Sequence, residues 1–366
     1  MNERKSKLIS LFTKTLLKTL IISSCILIVF VFVIPLIVSN YIITPPSVPS
    51  ITQGAEPSTP FFHMTPAWID VEPHEDDLGI GSGLRAPLGF TDEDRKELFF
   101  TFLIMGLDEG INVDTIMVAS YDGVSNTAHI VSIPRDVPVN VSRRFRKINV
   151  AYPAGVIHGG SPEAGIRQLK REVRSIIGFE PDFYVKIDLD AFERIINAGG
   201  GIYIDVPFHM RYDDPLQDLH INIAPGLQRL DGEQALNFAR FRLANPGFRS
   251  VTDFERVENQ QAVIRSVLNE LLTPASLLRI PEFISIFQDN VSTNIAFSDM
   301  LWFASRLPDV SSIDALQTHT LPIGRSSGLP YWYEFVDIPA ALELINSTIN
   351  PFTIPITIND VSIVQQ

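Results

Sequence analysis

The chain has 366 residues, of which 45% are hydrophobic and 19% charged, so wholesale disorder is excluded and one large or two ordinary domains are expected. The formal net charge of −13 excludes a broad nucleic-acid-binding surface. The single cysteine, Cys25, excludes a disulfide framework and, beyond the first segment, a thiolate metal site.

An uncharged, apolar segment at residues 19–43 predicts a transmembrane helix, because it is long enough to cross a hydrocarbon core of ~30 Å. Residues 1–18 precede it and carry five basic residues against one acidic residue: Arg4, Lys5, Lys7, Lys14, Lys18 and Glu3. The positive-inside rule then predicts a single-pass cell-membrane protein with a cytoplasmic N-terminus and an extracytoplasmic remainder. A cleavable signal peptide is the alternative. A retained anchor is favoured because the apolar run exceeds the usual signal length and no A-x-A site follows.

Residues 44–95 predict an extracytoplasmic linker. Six prolines with serine and threonine between residues 44 and 66 are typical of an extended, semi-rigid spacer. Residues 96–366 are predicted to form the folded domain.

Alternating apolar runs and helical patterns follow in that domain. Strands are predicted in residues 98–106, 115–134 (two strands around Asp122-Gly123), 182–187, 201–208 and 219–226, and helices in 161–178, 189–200, 231–240 and 253–272. The last helix is predicted to carry an apolar stripe at Val257, Gln261, Ile264 and Leu268. This order of elements predicts an α/β fold in which helices cover both faces of a sheet.

Two acids flank the first two predicted strands of this domain. Asp108 follows the first strand and Asp114 precedes the second, so their carboxylates could converge on one Mg²⁺ ion. The alternative is that both cap ordinary turns, and spacing alone favours it.

Two arginine pairs are candidates for anion binding. Arg135 and Asp136 directly follow a buried strand, which indicates either a surface turn with a fortuitous ion pair or an anion site. Arg240 and Arg242 would face the same way only in an extended segment, where two guanidinium groups would suit phosphate oxygens. A solvated strand edge is an equally good explanation of Arg240 and Arg242.

Other residues give weaker signals. Lys147 and Arg256, each taken alone, are expected to be surface charges. Trp332 and Tyr333 are expected to pack in the interior and not to form a sugar platform. Residues 320–338 are expected to return a strand and a helix to the same domain.

Several motifs, taken in order, resemble the LytR-CpsA-Psr family of cell-envelope proteins over residues 98–270. They are GLDEG at 106–110, VDTIMV at 113–118, VSIPRDVPVNV at 131–141, KINVAY at 147–152, LQRLDGEQALNFARFR at 227–242 and DFERVENQQ at 253–261.

The resemblance implies a three-layer α/β/α sandwich around a mixed sheet, with an apolar cavity for a polyprenyl tail. It implies a Mg²⁺-dependent phosphotransferase that moves an anionic glycopolymer from a polyprenyl-pyrophosphate carrier to a hydroxyl of the cell-wall glycan. A polyprenyl-pyrophosphate hydrolase and a non-catalytic lipid-pyrophosphate-binding or regulatory module are the alternatives. No DNA-binding motif is present, so nucleic acid is not an expected partner.

The resemblance also implies roles for individual residues. Asp108 and Asp114 match the acids associated with Mg²⁺, and the substrate-binding positions are Arg135, Lys147, Arg240, Arg242, Arg256, Gln260 and Gln261. Arg135, Arg240 and Arg242 are also expected in catalysis, with Asp136 as a candidate general base or as a group that orients Arg135. Asn112 and Asn259 stand where the family usually has arginine, and Arg143, Arg144 or Arg146 are candidates to compensate.

Overall fold

A computed structural model describes residues 45–53, 84–86, 89–107, 112–215, 219–271, 287, 291–306, 316–328 and 331–365. The predicted tail at 1–18, the predicted transmembrane segment at 19–43 and Asp108 lie outside these residues. Among the residues described, no helix has both the length and the apolar character needed to cross a membrane. By its internal contacts the chain divides into two units, Met1–Pro46 with Ala296–Ser305 and Ser47–Ile295 with Arg306–Gln366.

The secondary structure of the described residues is mixed. The strands are β1 (Ile51–Gln53), β2 (Leu84–Ala86), β3 (Phe99–Leu107), β4 (Val113–Asp122), β5 (Thr127–Ser132), β6 (Phe183–Ile187), β7 (Ile202–Val206), β8 (Met210–Asp214), β9 (Leu219–Ile223), β10 (Gly226–Leu230), β11 (Val291–Thr293), β12 (Leu316–Thr320), β13 (Ile323–Ser327) and β14 (Tyr333–Val336). The α-helices are α1 (Ala151–Gly159), α2 (Pro162–Ile177), α3 (Leu189–Gly199), α4 (Gly232–Arg240), α5 (Asp253–Leu271), α6 (Phe297–Arg306) and α7 (Ile338–Thr348).

The central sheet has six strands in the order β11-β6-β3-β4-β5-β12 within the described part of the chain. Strands β3, β4 and β5 form an antiparallel meander, whereas β6 and β12 join β3 and β5 in parallel and β11 joins β6 antiparallel. The predicted α/β fold with a mixed sheet is confirmed.

Local sequence signals explain several of these boundaries. The Ser161 hydroxyl accepts a backbone N–H at the start of α2, and Gly178 ends that helix in the left-handed region at φ 88°. Asp188 caps α3 in the same way. In the β4–β5 hairpin, the Asp122 carboxylate accepts two backbone N–H groups of the turn, and Asn126 takes a positive φ of 55°. The predicted ends of α2, the predicted start of α3 and the predicted hairpin are confirmed.

One face of the sheet is buried in the main apolar core. Leu103, Met105, Val118 and Val131 point into it from β3, β4 and β5. Helices α2 and α7 contribute Ile166, Leu169, Val173, Ile176, Ile177, Ala341 and Ile345 to the same core. Residues 320–338 were predicted to return a strand and a helix to this domain. They form the paired strands β13 and β14, and helix α7 begins at Ile338.

The opposite face of the sheet contacts α5. Side chains alternate along a strand, so Ser132 points away from the core that holds Val131. The Ser132 hydroxyl accepts a hydrogen bond of 3.0 Å from the side-chain amide of Gln261 on α5. Helices thus lie on both faces at this part of the sheet. Helix α5 also contributes Val263 to a second apolar core, shared with α3, α4, β7, β8, β9 and β10.

Two expectations were wrong in detail. The buried residues of α5 include Arg256, Asn259, Gln261 and Val263, whereas Val257 and Ile264 of the predicted stripe are half-buried. The helix contacts the sheet on one side and the second core on another, so a single apolar stripe does not describe its buried surface. The predicted linker also contains two paired strands, β1 and β2, which run parallel.

Candidate active site

Arg135 and Asp114 meet at one end of the central sheet because of the register of the β4–β5 hairpin. The ladder pairs Met117 with Ser132, so Asp114, three residues back along β4, stands opposite Arg135. The Arg135 Nη1 atom lies 2.9 Å from the Asp114 Oδ1 atom, and both side chains are partly exposed. The ion pair at this strand end therefore joins two strands and does not join Arg135 to its neighbour Asp136.

Asp136 forms a different ion pair. Its Oδ1 atom accepts a hydrogen bond of 2.6 Å from the Lys147 ammonium group, and the residue is 7% exposed. The two segments run side by side, because the Ile148 N–H donates to the Val137 carbonyl oxygen at 3.0 Å. Lys147 is thus part of the site, against the expectation from the residue alone, and it forms the ion pair with Asp136 that the sequence offered to Arg135.

Helix α5 brings a second arginine to Asp114. The Arg256 Nη1 atom lies 3.7 Å from the Asp114 Oδ2 atom, and Arg256 is only 6% exposed. At the start of the helix the Thr252 N–H donates to the Glu255 carboxylate, and the Glu255 N–H donates to the Thr252 hydroxyl. These two hydrogen bonds fix the turn that carries Arg256. Arg256 was expected to be a surface charge when taken alone, and its burial against a carboxylate corrects that expectation.

A cleft brings these groups together. Its lining consists of Asp114, Ile116, Met117, Ser132, Ile133, Pro134, Arg135, Asp136, Phe254, Arg256, Val257, Gln260 and Glu334. Of the predicted substrate-binding residues, Arg135, Arg256 and Gln260 line the cleft, and Lys147 contacts it through Asp136.

Gln261, Arg240 and Arg242 are not among the residues that line this cleft. Gln261 uses its amide nitrogen inside the fold, toward Ser132 and the carbonyl oxygen of His319. Arg240 ends α4 and is half-buried, Arg242 is exposed, and Phe241 between them is fully buried in the second core. The extended exit after Arg240 and the inward direction of Phe241 agree with the prediction, since Phe241 has φ −56° and ψ 123°.

Glu334 is a site residue that the sequence interpretation missed. It lies on β14, is 5% exposed and donates its backbone N–H to the Asp136 carbonyl oxygen at 3.1 Å. A glutamate between Tyr333 and Phe335 in an otherwise apolar run was the available signal, because glutamate is rarely buried without a structural or chemical reason.

One of the arginines proposed to compensate for Asn112 and Asn259 has other contacts. Arg143 forms a two-point ion pair with Glu172, whose side chain is 2% exposed, and also donates to the Lys147 carbonyl oxygen at 2.8 Å. Arg143 therefore holds the loop that carries Lys147. Asn259 is buried, and its Nδ2 atom has no hydrogen-bond partner among the residues that the structure describes.

The donor set at the cleft suits a metal ion that is shared with a substrate. Asp114 offers a carboxylate that is 33% exposed, and Mg²⁺ takes one or two carboxylates together with phosphate oxygens and water. No three histidine, cysteine, aspartate or glutamate side chains cluster as a metal site in the described ranges. Among the described residues, the Asp114 carboxylate therefore fits Mg²⁺ that is bound jointly with a phosphate.

The cleft of this mixed α/β unit holds carboxylates paired with arginine and lysine side chains, and such side chains can bind an anionic group. The LytR_cpsA_psr family model matches residues 88–349. The chain belongs to the LytR-CpsA-Psr family, as its motifs predicted.

The chain is also similar to curated proteins and to a solved structure. The chain is 26% identical over 207 residues to the Bacillus licheniformis polyisoprenyl-teichoic acid–peptidoglycan teichoic acid transferase TagU, covering 55% of this chain and 61% of that protein. It is 27% identical over 202 residues to the Staphylococcus aureus regulatory protein MsrR, covering 53% of this chain and 56% of that protein. The crystal structure of Bacillus subtilis TagV matches with a TM-score of 0.57 and 24% identity, covering 69% of this chain and 96% of TagV, and shares the fold.

Proposed function

We propose that this protein is a phosphotransferase of the bacterial cell envelope that moves an anionic glycopolymer from a polyprenyl-pyrophosphate carrier to a hydroxyl of the cell-wall glycan. The observation that carries the proposal is the Asp114 carboxylate between the guanidinium groups of Arg135 and Arg256 at the end of the central sheet. The name of the relative TagU, a transferase of teichoic acid to peptidoglycan, supports the same reaction class.

In this proposal the two arginines bind the pyrophosphate. Asp114 holds both guanidinium groups in place, and phosphate oxygens entering the cleft offer them charge-assisted hydrogen bonds that are stronger than neutral ones. Mg²⁺, when bound with Asp114 and the expected second acid Asp108, would neutralise charge on the phosphate oxygens. Arg240, Arg242 and Gln260 are proposed to contact the remainder of the donor.

The reaction requires a proton acceptor. The acceptor hydroxyl oxygen bonds to the phosphorus that carries the glycopolymer, the bond from that phosphorus to the bridging oxygen breaks, and polyprenyl phosphate leaves. The hydroxyl proton must pass to a base, and the cleft carboxylates of Asp136 and Glu334 are the candidates. The ammonium group of Lys147 holds the Asp136 carboxylate in place through their ion pair.

The proposal extends to the carrier lipid and the membrane. Phe102 and Ile104 point to the sheet face opposite the main core and are only half-buried, which supports an apolar surface for the polyprenyl tail. We further propose that residues 19–43 anchor the chain, with residues 1–18 in the cytoplasm, a linker at 44–95 and a catalytic domain at 96–366 outside.

The test is turnover by the full-length protein in detergent with a polyprenyl-pyrophosphate-linked glycopolymer, Mg²⁺ and wall-glycan strands. Covalent attachment of polymer to the glycan, with release of polyprenyl phosphate, is the expected result. Release without attachment would indicate a hydrolase. Binding of the donor without release of polyprenyl phosphate would indicate a binding or regulatory module and would overturn the proposal.

A further inference from the structure

An exposed aromatic cluster is formed by two segments that are remote in sequence. Phe145 and Trp332 are 39% and 51% exposed, and the ring centroids of Phe145 and Tyr331 lie 4.9 Å apart. The Arg144 guanidinium lies 5.4 Å from the Phe145 ring centroid and donates a hydrogen bond of 3.0 Å to the Tyr331 hydroxyl. Arg144, Phe145 and Tyr331 contact one another, and the exposed Trp332 follows Tyr331 directly in the sequence. We call these four residues the aromatic platform.

Trp332 was expected to pack in the interior, and its exposure shows that this expectation was wrong. Gly328 explains its placement, because a Cβ atom at that position would lie 3.3 Å from the indole Cε3 atom. A side chain there would crowd the ring. The glycine thus lets an aromatic ring lie against the backbone while about half of its surface faces solvent.

Both segments of the platform lead directly into the candidate active site. Two residues after Phe145, Lys147 binds the Asp136 carboxylate at 2.6 Å. Two residues after Trp332, the Glu334 N–H donates a hydrogen bond of 3.1 Å to the Asp136 carbonyl oxygen. Two residues of extended chain span about 7 Å, so the platform stands beside the Asp136 side of the cleft.

We propose that the aromatic platform is a carbohydrate-binding subsite that holds sugar rings of the glycan whose group reacts in the cleft. The faces of aromatic rings carry partial negative charge and attract the weakly positive C–H groups on one face of a sugar. Arg144 adds a fixed donor and a positive charge for hydroxyl or carboxylate groups on that sugar. This inference rests on the proposed function, because it takes a glycan as a substrate of the cleft.

Two glycans share this chemistry, the wall-glycan acceptor and the polymer carried by the donor. The test measures binding of soluble wall-glycan oligosaccharides and, separately, of the released donor polymer to the full-length protein in detergent. Isothermal titration calorimetry measures the affinity of every variant. Intrinsic fluorescence of the wild type also reports on the site, since Trp332 is one of three tryptophans and the exposed one of the two described. The glycan whose binding is weakened by substitutions in the platform is the one that occupies it.

Trp332→Ala and Phe145→Ala should each weaken binding of that glycan by about threefold to tenfold, in line with the strength of aromatic contacts. Trp332→Phe should retain most of the affinity while abolishing the fluorescence response. Tyr331→Phe keeps the ring but removes the hydroxyl that holds Arg144. This variant should therefore lose less affinity for neutral sugars than for carboxylated sugars. In turnover assays the Ala variants should raise the KM for the glycan and leave kcat within about twofold.

The matched control is Tyr203→Ala, because Tyr203 is 53% exposed, contacts Arg229 and lies on β7 outside the platform. It should leave binding of both glycans unchanged. Unchanged affinity for both glycans in Trp332→Ala and Phe145→Ala would overturn the subsite even if transfer occurs. Conversely, platform-dependent glycan binding without any transfer would overturn the proposed reaction and leave the subsite in place.

Discussion

Replacing Arg135 with glutamine removes the guanidinium group that faces Asp114 and keeps a side chain of similar length. The Arg135 and Asp114 side chains are 19% and 33% exposed, so solvent screens their attraction and the pair should contribute only about 0.5–1 kcal/mol to the free energy of unfolding. Arg256, 3.7 Å from the other oxygen of Asp114, still neutralises the carboxylate in the variant. The melting temperature should therefore fall by only a few degrees.

Activity should respond much more strongly than stability. A charge-assisted hydrogen bond to the reacting phosphate is worth about 1.5–3 kcal/mol, which corresponds to about a tenfold to hundredfold loss of kcat/KM. Arg135→Lys should recover part of this loss, because an ammonium group keeps the charge but cannot offer two parallel donors. The double change with Arg256→Gln should be non-additive, since both arginines contact Asp114 and serve one anion.

The assay combines thermal unfolding with initial rates of polymer transfer on the same preparations. Arg211→Gln is the matched control, because Arg211 also faces an aspartate, at 3.9 Å, on a surface strand outside the cleft. A fully active Arg135→Gln variant would refute the anion-binding role. A loss of several kcal/mol in unfolding free energy, parallel to the loss of activity, would instead mean that Arg135 acts through the fold.

Three further predictions concern other parts of the chain. Phe241→Ala should lower the free energy of unfolding by ~3–5 kcal/mol in chemical denaturation, because the ring is fully buried in the second core. Glu334→Gln and Asp136→Asn should both fold. Whichever of the two removes the general base should lower the transfer rate by about 10²–10⁴-fold and abolish the acidic limb of the pH–rate profile. Burial lowers the pKa of His129 and of His319 below the usual 6.5, and for His129 the neighbouring His319 adds to the effect. Below about pH 6.5 the unfolded chain therefore binds more protons than the folded chain, and the melting temperature should fall as the pH drops. His319→Gln should reduce this dependence of the melting temperature on pH.

Each of these has a control or a contrary outcome. Leu227→Ala, at a side chain that is 73% exposed, should change the unfolding free energy by less than about 0.5 kcal/mol. Full activity in both carboxamide variants would exclude Asp136 and Glu334 as the proton acceptor. A pH dependence of melting that is the same in wild type and His319→Gln would show that the histidine pair, with 3.4 Å between its ring nitrogens, does not couple to folding.

The sequence alone was sufficient for features that neighbouring residues decide. Helix α2 begins after Ser161 and ends before Gly178 because a side-chain cap and a left-handed glycine act within one turn of the helix. The β4–β5 hairpin follows from Asp122 and the turn after it. The pairing of Asp114 with Arg135 was not predicted and is seen only in the observed register. The motifs from residue 106 to residue 261 were also enough to indicate the family.

The tertiary structure decided which remote residues complete the site. Glu334 meets Asp136 across almost two hundred positions, and Phe145 meets Tyr331 in the same way, so no local pattern could predict either contact. Arg143 was a candidate to strengthen the site, but the buried carboxylate of Glu172 on α2 binds it. These partners depend on how β14 and α2 pack around the loop that carries Lys147. Such packing is set by burial of apolar surface over the whole domain, a sum of many distant contacts that no short stretch of sequence contains.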